Sequence, residues 1–416
     1  MNNQSNPGPG PSRVGGMSRT QQILDEVERY SAHNYHPLPV VLERGEGVWV
    51  HDVEGRRYLD MLAAYSALNQ GHGHPAILGA AREQLDRITL TSRAFHNDRM
   101  GPFLKLLCES SGYPMALPMN TGAEAVETAI KTVRKWGYTV KGVPEDAAEI
   151  IVCENNFAGR TTTIVGFSSE PRYREGFGPF APGFRIIPYG DLEALERAIT
   201  PHTVGFLVEP IQGEGGVVVP PDGYLRESAA LCRSRGIAFM ADEIQTGLGR
   251  TGRLFCCDWE EVRPDILMVG KALGGGVYPV SAVLADREYL DVFRPGDHGS
   301  TFGGNPLGAA VAEASLRVIL EEDLPERSAT LGSWFMDRLR ELDSPHVQEV
   351  RGRGLMIGVV IRPESGLARP FCEALMERGI LAKETQEQVI RFAPPLVIRQ
   401  EELEWALGPI AEVLDA

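Results

Sequence analysis

The chain has 416 residues, of which 43% are hydrophobic and 23% are charged. A chain of this length allows two domains and a core that buries about three quarters of the surface of the unfolded chain, which excludes a small binding module. The formal net charge of −15 disfavours nucleic acid as a partner, so we expect a small-molecule substrate.

The first predicted segment is a disordered tail over residues 1–18. Its first sixteen residues have neither the apolar core of a secretion signal nor the Arg-rich pattern of a transit peptide. No apolar run in the chain approaches the ~20 residues that a membrane helix requires. The six cysteines are scattered without a C-x-x-C pair, which is typical of a reduced compartment. We therefore expect a cytoplasmic protein without a membrane partner.

After the tail, the sequence predicts a helix over residues 20–30 and a hairpin over residues 47–60 that turns at Glu54 and Gly55. From about residue 100 to 300, short apolar runs alternate with helical patterns, which indicates a mostly parallel sheet covered on both faces. The predicted strands are 149–153, 204–208, 237–241, 266–269 and 280–285, and the intervening helices include 192–199 and 223–235. Beyond residue 306 the pattern is a helix through residue 320, followed by helix, strand, strand and helix.

These elements predict an α/β protein with two domains. A large domain over residues 66–305 is built on the mostly parallel sheet, and residues 306–416 form a smaller α+β domain. The segment 19–65 lacks an obvious core of its own, so we expect it to pack with the small domain.

Two motifs predict a cofactor at the carboxyl ends of these strands. An apolar run delivers Lys271 into a turn made mostly of glycine, and another apolar run, 29 residues earlier, ends at Asp242. Pyridoxal phosphate needs such a pair, because its aldehyde bonds to a lysine and its protonated ring nitrogen pairs with an aspartate. Read singly, Lys271 could be a solvated lysine, and Asp242 could be a helix cap or a metal ligand.

Two further motifs are candidates for binding the cofactor's phosphate. Thr121 can cap a helix whose first residues, Gly122 and Ala123, leave backbone N–H groups open to an anion. Ser300 and Thr301 form a hydroxyl pair in a glycine-rich loop. An ordinary capped helix and a plain turn are the alternatives at these two places.

The segments 208–214, 241–247, 270–273 and 299–306 together resemble the class III, fold type I pyridoxal-phosphate aminotransferases. Within that class, the segments 30–40, 69–72, 118–128 and 390–398 resemble the ornithine δ-aminotransferases, and the resemblance extends over residues 20–415. It implies a fold with a large domain on a mostly parallel sheet and a smaller α+β domain.

The resemblance also implies the residues that hold the cofactor. Lys271 would bond to the aldehyde, Asp242 would pair with the ring nitrogen, and Gln245 would hydrogen-bond the ring hydroxyl. Phe157 and Ile244 would sandwich the ring, and Gly122 with Ala123 would bind the phosphate. Ser300 and Thr301 would complete the phosphate site, with Thr301 reaching the cofactor of the neighbouring subunit. The active sites would then be shared in a homodimer or a higher oligomer.

The same resemblance implies a reaction with two substrates that enter by opposite ends. L-Ornithine would offer its δ-amine, with its α-carboxylate on Arg160, its α-amine near Tyr35, and Tyr65 in the pocket. Glutamate or 2-oxoglutarate would place its α-carboxylate on Arg391, and Glu214 would neutralise that arginine while ornithine is bound. The products would be L-glutamate 5-semialdehyde and L-glutamate.

Other functions are also compatible with these motifs. Another class III enzyme, acting on acetylornithine, 4-aminobutyrate or a diamine, is the nearest alternative, and a cofactor-binding protein without activity is a second. A nicotinamide enzyme is disfavoured because no G-x-G-x-x-G opens a helix after the first strand. Ala158, His96 and Gly274 depart from the pattern expected for the family. We predict no metal site, with His72 and His74 in structural roles.

Overall fold

The computed structural model describes residues 17–415, so most of the predicted tail lies outside the described residues. Ser18, placed in the tail by the prediction, caps the first helix by accepting a hydrogen bond from the Gln21 backbone N–H. The strands are β1 (Leu42–Glu46), β2 (Trp49–Asp52), β3 (Arg57–Asp60), β4 (Met115–Met119), β5 (Glu149–Cys153), β6 (Phe184–Ile187), β7 (Thr203–Val208), β8 (Ala238–Asp242), β9 (Ile266–Val269), β10 (Ser281–Ala285), β11 (Val347–Arg353), β12 (Met356–Ile361), β13 (Ile380–Leu381), β14 (Lys383–Thr385) and β15 (Val389–Phe392).

The described residues also form α-helices. They are α1 (Arg19–Tyr30), α2 (Ala63–Ser66), α3 (Pro75–Leu85), α4 (Met100–Ser111), α5 (Gly122–Trp136), α6 (Thr162–Gly166), α7 (Pro171–Arg174), α8 (Leu192–Ala198), α9 (Tyr224–Arg235), α10 (Arg287–Leu290), α11 (Pro306–Glu321), α12 (Leu324–Arg340), α13 (Ala368–Glu377) and α14 (Gln400–Leu414). In the described part of the chain, no helix is both long enough and apolar enough to cross a bilayer.

The central sheet has seven strands in the order β4-β10-β9-β8-β7-β5-β6. Strand β10 is antiparallel to both of its neighbours, and the other pairs are parallel. Every residue of β7, β8, β9 and β10 is buried, because helices cover both faces of the sheet. The predicted α/β fold with a mostly parallel sheet is confirmed.

The five predicted strands of this sheet agree with β5, β7, β8, β9 and β10 to within one residue at each end. Strands β4 and β6 were missed. Strand β4 contains Pro118, which disfavours a strand, and two central residues of β6 are exposed, so neither forms a continuous apolar run.

Two smaller sheets accompany the central one, and one of them connects the N-terminal and C-terminal regions of the chain. In the first, β1-β2-β3-β13, Leu59 of β3 lies opposite Ile380 of β13 in a parallel pair, which joins the N-terminal hairpin to the C-terminal region. The second has the order β11-β12-β15-β14. After α11 the order is α12, β11, β12, α13, β13, β14, β15 and α14, so the predicted order of helix, strand, strand and helix omitted one helix and three short strands. The domain boundaries at residues 65 and 305 stay predictions.

Candidate active site

A cavity of about 200 Å³ lies at the carboxyl edge of the central sheet. Asp242 is the last residue of β8, and Lys271 follows β9 after one glycine, so both side chains reach this edge. Eight of the predicted site residues line the cavity: Gly122, Ala123, Phe157, Glu214, Asp242, Ile244, Gln245 and Lys271. The fold therefore brings together residues that are up to 149 positions apart in the sequence.

Asp242 is a buried carboxylate that forms no ion pair with the described residues. Its side chain accepts one hydrogen bond, from the Ile244 backbone N–H at 3.1 Å, and the residue is 6% exposed. Burial raises the pKa of Asp242 to about 6, against the opposing effects of that hydrogen bond and of Lys271. A buried acid in this condition fits a ligand that brings its own cation, as the protonated ring nitrogen of pyridoxal phosphate would.

Lys271 begins a short 3₁₀ turn, Lys271–Gly274, with a left-handed φ of 43°. This conformation is costly for a residue with a side chain, and such costs are concentrated at functional sites. Burial lowers the pKa of the Lys271 amine, although the negative charges of Glu214 and Asp242 oppose this effect. A lowered pKa raises the unprotonated fraction of the amine, which is the form that attacks a carbonyl carbon.

The N-terminus of α5 has the geometry of an anion site. Thr121 and Glu124 form a capping box, in which the Glu124 N–H donates to the Thr121 hydroxyl and the Thr121 N–H donates to the Glu124 carboxylate. The cap predicted for Thr121 is thus confirmed. Gly122 and Ala123 follow it on the cavity wall, and a Cβ on Gly122 would lie 3.1 Å from the Ile244 side chain. Their position and the tight space fit a phosphate held on backbone N–H groups.

Ser300 and Thr301 do not line this cavity. The Ser300 hydroxyl accepts a hydrogen bond from the Asn120 side-chain amide at 2.8 Å and another from the Gly303 N–H at 3.2 Å, so it ties its loop to the segment that precedes α5. Thr301 is exposed. A role for Thr301 at the cofactor of a neighbouring subunit stays a prediction.

Arg391 and Glu214 form an ion pair beside the cavity. One guanidinium nitrogen, Nη1, donates to Glu214 Oε1 at 2.7 Å, whereas Nη2 lies 3.5 Å from Oε2. The Arg391 side chain is 2% exposed and its Nε has no hydrogen-bond partner among the described residues. Burial alone would raise the pKa of Glu214, but the Arg391 charge outweighs burial and keeps this pKa below its ordinary value. The pair is therefore charged, asymmetric and incompletely satisfied.

Tyr65 lies on a strained turn against this pair. Ala63, Ala64, Tyr65 and Ser66, the residues of α2, all have left-handed φ values, between 47° and 70°. The turn places the Tyr65 ring 4.9 Å from the Arg391 guanidinium carbon. The Gln245 side-chain amide donates to the Tyr65 carbonyl at 3.3 Å and to Glu214 Oε1 at 3.2 Å. The predicted contact of Gln245 with a ring hydroxyl stays a prediction.

The structure places Arg160 near the cavity but Tyr35 outside it. The Arg160 guanidinium lies 5.8 Å from the centre of the Phe157 ring and 4.3 Å from that of Tyr173, a residue that the sequence did not single out. Tyr35 is 71% exposed and lines a second cavity, of about 540 Å³, together with Tyr65. Tyr65 thus connects the second cavity to the Arg391 side of the first.

Glu209 is a third carboxylate in the first cavity and was not predicted as a site residue. It follows the end of β7, and its Oε1 accepts a hydrogen bond from the Phe157 backbone N–H at 2.8 Å. Burial raises the pKa of Glu209 well above its ordinary value, and the charge of Asp242 adds to this effect. Its position after a buried parallel strand is the signal that also singled out Asp242.

Three residues depart from the pattern expected for the family, and the structure shows where each of them lies. Ala158 lines the first cavity, His96 is exposed, and a Cβ on Gly274 would lie 3.4 Å from the Val280 nitrogen, an ordinary contact. His72 hydrogen-bonds Asp60 at 2.7 Å and His74 hydrogen-bonds Glu322 at 3.0 Å.

Comparisons with known proteins agree with this geometry. A family model described as aminotransferase class-III matches residues 30–414. The ornithine aminotransferase of Geobacillus sp. strain WCH70 is 60% identical over 397 residues, which cover 95% of this chain and 99% of that protein.

Two solved structures are similar over nearly the whole chain. An ornithine aminotransferase from Toxoplasma gondii, whose structure reveals partial occupancy of PLP at the active site, has a TM-score of 0.94 and 47% identity, with coverage of 95% of this chain and 94% of that one. An acetylornithine aminotransferase from Elizabethkingia anophelis has a TM-score of 0.87 and 48% identity, with coverage of 96% and 99%. The chain belongs to the class III aminotransferase family, as its motifs predict.

Proposed function

We propose that this aminotransferase transfers the δ-amino group of L-ornithine to 2-oxoglutarate, giving L-glutamate 5-semialdehyde and L-glutamate. The observation that carries the proposal is the buried Arg391–Glu214 pair at the edge of the cavity, because an enzyme whose amino donor brings no carboxylate to Arg391, and whose acceptor does, needs a carboxylate partner for that arginine that can give way. The relative from Geobacillus, named ornithine aminotransferase, supports the same reaction.

Pyridoxal phosphate, the cofactor of this enzyme, supplies an aldehyde that takes up the amine and a ring that withdraws electrons. The Asp242 carboxylate would hold the ring nitrogen in its protonated form, and the backbone N–H groups of Gly122 and Ala123 would bind the phosphate. Phe157 and Ile244 would pack on the two faces of the ring. The Lys271 amine, with its lowered pKa, would accept and return a proton during the reaction.

The two substrates differ in the charge that they present to Arg391. Ornithine carries its carboxylate to Arg160 and offers a δ-amine, so Arg391 needs the Glu214 carboxylate to stay neutralised in a buried place. 2-Oxoglutarate brings a carboxylate of its own, which would displace Glu214. Leaving a buried ion without its partner costs about 3 to 5 kcal/mol, so either partner would be strongly preferred to none.

Acetylornithine is the nearest alternative substrate, since a similar structure is named acetylornithine aminotransferase. A free α-amine distinguishes ornithine from acetylornithine and 4-aminobutyrate. Tyr35 would contact that amine if the N-terminal segment closes over the substrate from the second cavity, where Tyr35 and Tyr65 lie together.

The reaction is tested by mixing the enzyme with L-ornithine and 2-oxoglutarate and trapping the semialdehyde with an aminobenzaldehyde. We expect Tyr35→Phe to lower kcat/KM for ornithine about tenfold and to leave that for 4-aminobutyrate nearly unchanged, as for the loss of one hydrogen bond to a charged group. Tyr30→Phe is the matched control, because Tyr30 is 77% exposed and lines neither cavity. Equal losses on both substrates would argue against the assignment to ornithine.

We also propose a homodimer or higher oligomer with shared active sites, located in the cytoplasm and working in arginine and proline metabolism. The exposed position of Thr301, away from the cavity of its own chain, supports a role at a neighbouring subunit. The scattered cysteines, all of which are free thiols, support the location.

A further inference from the structure

The loop that carries Glu214 is held by its backbone from the C-terminal sheet. The Thr385 hydroxyl donates a hydrogen bond to the Glu214 carbonyl at 2.7 Å, and the Gln386 side-chain amide donates to the same oxygen at 3.2 Å. Thr385 is 8% exposed, so its hydrogen bond is largely protected from water. Water therefore competes weakly for this contact.

A second contact holds the same loop two residues further on. The Arg351 guanidinium donates to the Gly216 carbonyl through Nε at 3.2 Å and through Nη2 at 2.8 Å. The backbone turns sharply here, with φ values of 106° at Gly216 and 53° at Val217. The main chain of the loop is thus held at Glu214 and again two residues after it, whereas the hydrogen bonds of the Glu214 carboxylate to the described residues are those with Arg391 and Gln245.

Thr385 and Arg391 lie on neighbouring strands of one sheet. Strand β14 ends at Thr385 and pairs with β15, in the register Lys383 opposite Arg391 and Thr385 opposite Val389. Strand pairing therefore sets the distance between Thr385, which holds the Glu214 backbone, and Arg391, which the Glu214 carboxylate neutralises. A sheet that carries both contacts determines how Glu214 approaches Arg391.

We propose that Thr385 is a positioning residue for substrate choice, which holds the Glu214 backbone so that the carboxylate rests on Arg391 and leaves it only when a substrate carboxylate arrives. The inference rests on the proposed function, because it assigns a support to the same Arg391–Glu214 exchange. Without the Thr385 contact the loop would be less constrained, and Glu214 would neutralise Arg391 less well. Ornithine would then react more slowly, while a dicarboxylate would reach Arg391 more easily.

The test compares Thr385→Val, which keeps the shape and removes the hydroxyl, with Thr385→Ser, which restores it. The first readout is the ratio of kcat/KM for glutamate to that for ornithine in the separate half-reactions of the holoenzyme. The loss of one neutral hydrogen bond predicts that the valine variant raises this ratio about fivefold and that the serine variant stays near wild type. The second readout is the affinity for glutarate, a dicarboxylate without a reactive group, which we expect to tighten about fivefold in the valine variant.

Equal loss of both half-reactions in Thr385→Val, or an unchanged ratio with an unchanged glutarate affinity, overturns the inference. If the valine variant does not fold, Gln386→Ala performs the same test, since it removes the second hydrogen bond to the same oxygen. The glutarate measurement distinguishes a failure of the inference about Thr385 from a failure of the proposed function. A wild-type enzyme that makes no semialdehyde refutes ornithine as the substrate, whereas the effect of Thr385 on dicarboxylate binding is measured without turnover.

Discussion

Asp242→Asn should stabilise the cofactor-free protein while it removes the activity. The asparagine keeps the shape of the side chain and an oxygen that accepts the Ile244 N–H, but it has no charge. In the cofactor-free protein the Asp242 carboxylate is buried without an ion-pair partner among the described residues, so its charge is a cost. The same charge would be needed when the protonated ring of the cofactor is bound.

The size of the effect follows from the pKa of Asp242, which burial raises from an ordinary value of 3.8 to about 6. Below pH 3.8 Asp242 is protonated in both the folded and the unfolded state, so it costs no stability. Because its pKa is higher in the folded state, the free energy of unfolding falls as the pH rises from 3.8 to about 6. Each tenfold change in proton affinity is worth about 1.4 kcal/mol, so the charged carboxylate costs the folded state about 3 kcal/mol at neutral pH. Asp242→Asn should recover most of this amount at pH 8 and only about 0.5 kcal/mol at pH 4.

Chemical denaturation of the cofactor-free proteins at these two pH values measures the difference. Asp286→Asn is the matched control, because Asp286 is half exposed, pairs with Arg263 at 2.8 Å and has a lowered pKa. Its loss should cost about 0 to 1 kcal/mol at pH 8 and give no stabilisation. An Asp242→Asn protein that is no more stable than wild type at pH 8 would refute the description of Asp242 as an unpaired buried charge.

Two further substitutions test the strained turn and the helix cap. Ala64 is exposed with a φ of 47°, so Ala64→Gly should raise the free energy of unfolding by about 0.5 to 1 kcal/mol, and a loss in chemical denaturation would contradict the strain. Thr121→Ala removes the acceptor of the Glu124 N–H and should cost about 1 kcal/mol. It should also weaken the retention of the cofactor during dialysis. Unchanged retention would show that the Thr121 cap does not contribute to binding the phosphate.

The sequence predicted the centre of the fold and of the candidate site because both follow from local patterns. Strands β5, β7, β8, β9 and β10 are short and continuously apolar, as strands covered on both faces must be. The residues at the carboxyl ends of such strands lie at one edge of the sheet, and this rule places Asp242 and Lys271 together. Glu209 obeys the same rule and could have been found by applying it once more.

Other features depend on contacts that no local pattern contains. The left-handed turn at residues 63–66 has no glycine, so nothing in its composition indicates the conformation that brings Tyr65 to Arg391. The strands β13 and β14 have two and three residues, which is too short for a recognisable alternation. The hydrogen bond from Thr385 to the Glu214 carbonyl joins positions 171 apart, and only the folded chain shows it.

Gln245 lines the first cavity and also contacts Glu214, the partner of Arg391. It lies three residues after Asp242, and its amide nitrogen has two N–H groups, which donate to the Tyr65 carbonyl and to Glu214 Oε1. A Cβ at Gly213 would lie 1.6 Å from the Gln245 oxygen, so a side chain at position 213 would displace the amide. An additional hydrogen bond from this nitrogen to a cofactor ring would have to replace one of the two existing bonds. If Glu214 moves away from both Arg391 and Gln245, one Gln245 N–H is released, so a contact of Gln245 with a cofactor ring would be coupled to the neutralisation of Arg391 through a single amide group.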